Sequence, residues 1–147
     1  MLKKLVFISV IVLICLSISG CKEPTQYQQS IYNDNSLIVK EGDSFFTSRY
    51  SSKGSNGDIK VTFSKLTGSK TLWDIDYTEE KEININYSTK KSNGEFKLVL
   101  INPDGKIYYL NEKTTEGKYS SKLAVGKNRI KVVGNSATGE IVLKIDK

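Results

Sequence analysis

The sequence predicts an all-β fold, an antiparallel β-sandwich, and three observations carry that prediction. Apolar and polar residues alternate along several segments after Ser36, the period-2 signature of strands with one dry and one wet face. Turn residues punctuate these segments every roughly 8–14 residues, the spacing of a sandwich with about nine short strands. No apolar stripe of helical period runs for ten residues or more beyond Cys21, so no amphipathic helix of domain-building length competes.

Leu37 and Val39, then Phe45 and Phe46, read as an opening strand pair around the turn Glu41-Gly42-Asp43. Ile59, Val61 and Phe63 alternate with Lys60, Thr62 and Ser64. Trp73, Ile75 and Tyr77 alternate with Asp74 and Asp76, and Ile83, Ile85 and Tyr87 with Asn84 and Asn86. Phe96, Leu98 and Leu100 face one way while Lys97, Val99 and Ile101 face the other. Asn102-Pro103-Asp104-Gly105 places Pro for a type I turn and Gly where positive φ is needed, predicting a hairpin from 95–101 into Lys106–Asn111. Gly126-Lys127-Asn128 and Gly134-Asn135 read as later turns. Ile130 and Val132, then Ile141, Leu143 and Ile145, supply the closing strands. Glu79-Glu80-Lys81-Glu82 has helix-like charge but too few apolar residues to hold a helix.

The N-terminus has a different organisation. Met1-Leu-Lys-Lys4 is a short positive region followed by the apolar run Leu5–Leu16. That run is shorter than the roughly 20 residues that span a bilayer core, and it fits the apolar region of an export signal. The segment closes in Ile18-Ser19-Gly20-Cys21. An aliphatic residue, two small residues and a cysteine in this order resemble the lipobox of bacterial lipoproteins. The resemblance covers residues 1–21. It implies cleavage before Cys21, a diacylglyceryl group on the Cys21 sulfur as the lipid attachment, and retention at the outer face of the cytoplasmic membrane. The alternative is an uncleaved short anchor with a chance cysteine, and it too leaves the domain outside that membrane.

The expected organisation is a signal helix over 1–20, a lipidated N-terminus and flexible tether over 21–35, and one sandwich domain over 36–147. Residues 22–35 contain Pro24 and show neither strand nor helix period. Extended, such a tether reaches about 45–50 Å at ~3.3–3.6 Å per residue; packing of Ile31 and Tyr32 on the domain would shorten it. The stretch from Phe96 to Gly134 resembles, in pattern alone, the closing strands of immunoglobulin-like bacterial surface modules. A jelly-roll-like arrangement fits the same strands, and the resemblance carries no functional residues.

Composition excludes more chemistry than it suggests. The chain has 147 residues, a net charge of +6 and no histidine. Catalysis by Ser-His-Asp or Cys-His, most zinc enzymes and histidine pH switches therefore fall away. Cys15 lies within the signal and Cys21 is the expected lipid carrier, so no disulfide or thiolate site is expected. No Gly-rich phosphate loop opens a helix. Without Lys3 and Lys4 the charge is +4, mild enough to predict no nucleic-acid partner and a slight preference for an anionic wall or membrane surface. The basic residues are almost all lysine, Arg49 and Arg129 being the only arginines, and arginine is the usual bidentate grip on phosphate or carboxylate. Abundant Lys, Asn and Ile are also what an A/T-rich genome encodes, which suggests a low-G+C Gram-positive source.

The remaining candidates are few. Asp74 and Asp76 share a strand face about 7 Å apart, at two residues of ~3.3–3.4 Å rise. That suits either an inverting glycosidase pair or an ordinary solvated face. Calcium at Asp74/Asp76 or around Asp43 would lack the dense ligand spacing of a calcium loop. Tyr108 and Tyr109 are adjacent, so one is expected in the core and the other exposed. An exposed Tyr or Trp could stack a sugar ring; alternatively Trp73, Tyr77 and Tyr87 fill the core. No catalytic residue, cofactor or metal is assigned. The expectation is a non-enzymatic, membrane-anchored envelope module that binds protein or wall polymer. The alternatives are an accessory or inhibitory lipoprotein docking on an envelope protein complex, and a carboxylate-based wall hydrolase.

Overall fold

Three strands of about twenty residues, each bent once, carry the architecture. A computed structural model describes residues 22–111 and 115–146; the signal segment 1–20 and Cys21 lie outside the described residues. Two short helices, α1 (Gln26–Ile31) and α2 (Asn35–Ile38), precede seven strands: β1 (Ser44–Phe46), β2 (Arg49–Ser55), β3 (Asp58–Tyr77), β4 (Lys81–Ile101), β5 (Ile107–Tyr109), β6 (Glu116–Leu123) and β7 (Gly126–Asp146). All pairings are antiparallel, so the fold is the all-β antiparallel sandwich that the alternation predicted.

The sandwich is one hydrogen-bonded sheet folded over on itself. Residues 58–64 of β3, 139–146 of β7 and 81–91 of β4 form one layer, in the order β2-β3-β7-β4-β6. The second halves of β3 and β4 and the first half of β7 form the other, in the order β1-β3-β7-β4-β5. The register slips between Phe63 and Gly68, Lys91 and Glu95, and around Ala137. Such bulges bend a strand and re-aim it. Lys65 and Ser136 take left-handed φ values of 55° and 51° at these bends, where a bulged backbone demands them.

Residues from both layers meet in one core. Ile59, Val61, Ile85, Leu98, Leu100, Ile130, Val132, Ile141 and Leu143 are all buried in it. Phe63 meets Phe96 edge-on at 5.4 Å where the sheet folds. Phe45 and Tyr50 close one open side between β1 and β2, and Tyr108 and Tyr119 close the other between β5 and β6. Aromatic pairs of this kind are worth about 0.5–1.5 kcal/mol beyond their buried area.

The expected short strands are thus partly merged. Gly134-Asn135 is a bend within β7, not a turn, and Gly126-Lys127-Asn128 opens β7 instead of preceding it. The Asn102–Gly105 hairpin is as predicted, with Gly105 at φ 78° donating its N–H to Asn102 O. The opening strand pair is corrected: Leu37 belongs to α2, and only Ser44–Phe46 is strand, pairing with β3. The expected tether also shortens. Thr25 caps α1 reciprocally with Gln28 in a capping box, and Ile31 and Ile38 are 1% and 0% exposed against Val99, Ile101 and Val133. Each such burial contributes about 1.5–3 kcal/mol. One layer therefore has both faces covered, and the other keeps its outer face bare.

Candidate binding face

The covered layer turns three cations outward, beneath the helical segment. Lys97 on β4 and Arg129 and Lys131 on β7 lie on the side opposite the core residues Leu98 and Ile130. Lys97 donates to Tyr32 O at 2.6 Å and sits 4.2 Å from the Tyr32 ring centre. Arg129 donates to Val39 O and Lys40 O, and Lys131 donates to Lys40 O and Gly42 O. Lys131 is wholly buried, and burial, reinforced by the Arg129 charge, pushes its ammonium below the usual lysine range. Lys97 thus holds the link between α1 and α2, and Arg129 and Lys131 hold the chain between α2 and β1, all through main-chain carbonyls, so this face is structural.

The candidates raised by the sequence fall largely outside any binding site. Asp74 and Asp76 lie on β3 of the covered layer, in register with Arg129 and Lys127. Asp43 is occupied: it accepts hydrogen bonds from Thr71 N, Thr71 Oγ1 and Lys70 Nζ, all at 2.7 Å. Among the described residues no group of three or more Asp, Glu, Cys or His could hold a metal ion. Trp73 and Tyr87 are buried in the core and Tyr77 packs half-buried against it. Tyr108 and Tyr109 do face opposite sides, but neither is an exposed platform. Tyr108 packs on the core, while Tyr109 is half-buried under the helical segment and donates to Asn35 Oδ1.

The bare outer face of the open layer is polar and carries a groove of about 390 Å³ across its bent end. Arg49 on β2 and Lys90 and Lys91 on β4 stand on its two sides, with Thr62 and Ser64 of β3 and Thr138 and Glu140 of β7 between them. Period-2 alternation places Arg49, Thr62, Ser64, Lys90 and Glu140 outward because Tyr50, Phe63, Thr89 and Ile141 point inward, and Lys91 joins them at the bend, where the register slips. Glu140 is committed to Lys60 at 2.8 Å, which holds its carboxyl below the usual range, with Lys90 acting in the same direction. Lys91 is paired with Glu95. Thr138 Oγ1 accepts the Lys65 N–H, leaving its hydroxyl hydrogen free to turn toward the groove. Arg49 and Lys90 have no ion-pair partner among the described residues. Sequence reasoning noted Arg49 only as one of two arginines. The other, Arg129, is consumed by the fold, which leaves Arg49 as the one arginine on the open face.

No protein family and no curated protein matches this sequence. Among solved structures the chain is similar to a carbohydrate-binding module of Cellvibrio mixtus lichenase 5A, in complex with cellotriose. That match has a TM-score of 0.38 and 12% identity over 76% of this chain and 95% of that one. It is also similar to a family 29 carbohydrate-binding module, at a TM-score of 0.36 and 9% identity over 72% of this chain and 81% of that one. A third is the family 11 module of the Clostridium thermocellum cellulase Lic26A-Cel5E, at a TM-score of 0.32 and 12% identity over 71% and 81%. Likenesses this distant assign neither a residue nor a ligand to this chain.

Proposed function

We propose that this chain is a lipid-anchored envelope protein whose β-sandwich is a non-enzymatic binding module for an envelope polymer. The observation that carries the reading is the asymmetry of the two outer faces. The N-terminal segment seals one of them, and the other is bare, polar and grooved. Anchoring at Cys21 would therefore attach the domain by its covered side and leave the open face directed away from the attachment. A polymer partner is favoured over docking on a protein complex because the large apolar side chains exposed among the described residues are Tyr27 and Val125. Docking interfaces on monomers are usually marked by contiguous apolar patches of several hundred Å².

Two measurements test the reading. Metabolic labelling with a fatty acid is expected to mark the chain, and Cys21→Ala to abolish the label and leave the unprocessed precursor. Normal processing and labelling of that variant would refute the anchor. Full-length protein in non-ionic detergent is expected to be retained on purified wall polymer. Capture of a stoichiometric protein partner by crosslinking in native membranes, without retention on wall material, would favour the accessory alternative.

A further inference from the structure

The groove on the open layer brings Arg49, Lys90 and the Thr138 hydroxyl to one surface. We propose that it binds the phosphate groups of a phosphodiester-linked envelope polymer, gripped by Arg49 and Lys90 and oriented by the Thr138 hydroxyl. This rests on the reading of the domain as a polymer-binding module and names the chemistry that the module recognises.

Three features carry it. First, the charges left over in the groove are positive. Glu140 is ion-paired with Lys60 and Lys91 with Glu95, partners outside the lining, whereas Arg49, and Lys90 facing Glu140 across the strands, make no direct ion pair among the described residues. Second, the sole arginine not used by the fold stands here, and its planar fork is the best donor for a paired-oxygen anion. Third, donors come from separate directions. Arg49 rises from edge strand β2 and Lys90 from β4, three strand spacings away, about 14 Å at ~4.7–4.9 Å per spacing; both are long enough to lean inward. Thr138 lies between them on β7. A carboxylate holds its two oxygens, and the donors they accept, close to one plane. A phosphodiester sits on a tetrahedral centre and accepts donors from several sides, and the groove is open enough for a chain to continue past it.

The test measures binding of full-length protein in non-ionic detergent to three probes: poly(glycerol phosphate), polygalacturonate as a carboxylate polymer, and a neutral glucan. The expected result is preferential binding of poly(glycerol phosphate) that weakens with salt. Arg49→Gln and Lys90→Gln each weaken it about tenfold, the scale of losing one charge-assisted contact. Arg49→Lys recovers only part of the loss, because the charge returns without the fork. Lys127→Gln, an equal charge change on the covered layer, has no effect. Unchanged circular dichroism and thermal midpoint confirm that the variants are folded. An equal loss in Lys127→Gln, or equal binding of polygalacturonate, overturns the phosphate assignment. Retention of the neutral glucan alone overturns it too while leaving the polymer-binding module standing. Binding of none of the three probes and no retention on wall material would overturn both.

Discussion

Lys131 is an unusual residue to find at the centre of a sheet face: its ammonium is fully buried and its partners are two main-chain carbonyls, not a carboxylate. Those carbonyls belong to Lys40 and Gly42, which are themselves exposed, so water can replace the cation if the chain loosens. Replacing a buried charge by an apolar side chain of similar length is often close to neutral in stability, whereas truncation leaves a cavity. Lys131→Met is therefore expected to change the global unfolding free energy by less than about 1 kcal/mol, yet to speed amide exchange across 39–43. Lys131→Ala is expected to cost about 2–4 kcal/mol. The pH dependence has a defined sign. The folded-state value lies below the ordinary 10.5, so between the two the unfolded chain binds more protons and stability rises with pH. The stability of wild type relative to Lys131→Met is expected to grow as pH is raised toward the ordinary lysine value of 10.5 in denaturant titrations. A flat difference across that range would show that the ammonium is not held in the buried form described.

At the scale of elements, β1 shows how a three-residue strand stays on a sheet. Asp43, just ahead of it, takes three hydrogen bonds from Lys70 and Thr71 of β3, and Gly68 at φ 105° lets Ser44 O approach closely. A Cβ at Gly68 would collide with that carbonyl. Burial pushes the Asp43 carboxyl up, but the bonds from Lys70 and Thr71 outweigh it and hold the group below its ordinary value. A depressed carboxyl adds stability above the unfolded value, and that contribution disappears as pH falls through the folded value. Asp43→Ala is expected to cost about 1–2 kcal/mol near neutral pH, and to differ little from wild type once both are acidified below the ordinary carboxylate range. Chemical denaturation at both pH values checks this; an equal gap at both would exclude the ionised latch. The elements themselves were unevenly legible. Strong alternation at 59–63, 83–87, 96–100 and 141–145 reports strands buried on one face, and all of these are strands. The edge strands β2 and β6 escaped because they have few inward apolar side chains, Tyr50 in β2 and Tyr119 and Leu123 in β6. An edge strand packs less and stays polar. The helices escaped because six and four residues are too short for a 3.6 period, although Thr25-x-x-Gln28 is a capping-box signature in the sequence. The groove was not legible at all, since its residues converge from four strands only after the long strands bend.

For the whole molecule, the short N-terminal connection fixes how an anchored domain would sit. The residues 22–25 between Cys21 and α1 span at most about 17–18 Å, counting five steps of ~3.3–3.6 Å. That is well short of the reach that a tether extending to residue 35 would have given. Because α1 and α2 are packed on the covered layer through Ile31 and Ile38 and pinned by Lys97, Arg129 and Lys131, a domain anchored at Cys21 is expected to keep this side nearest its anchor. Under the proposed anchoring, its covered side would face the bilayer and the groove would face outward, toward the proposed polymer. The acylated chain offers a clean way to see this. If Cys15 leaves with the signal and Cys21 carries lipid, as proposed, a single introduced cysteine would be the sole labelling site. A donor dye at Asn35→Cys, on the helical side, is expected to transfer strongly to acceptor lipids in vesicles carrying the lipidated protein. The same dye at Ser88→Cys, on the open layer, is expected to transfer weakly, because the thickness of the sandwich intervenes. Insertion of a fifteen-residue Gly/Ser linker after Glu23 would add a flexible span of roughly 20 Å and reduce both signals toward a common low value. Equal transfer from Asn35→Cys and Ser88→Cys without the linker would mean that the domain tumbles about its anchor, and the outward orientation of the groove would then be lost.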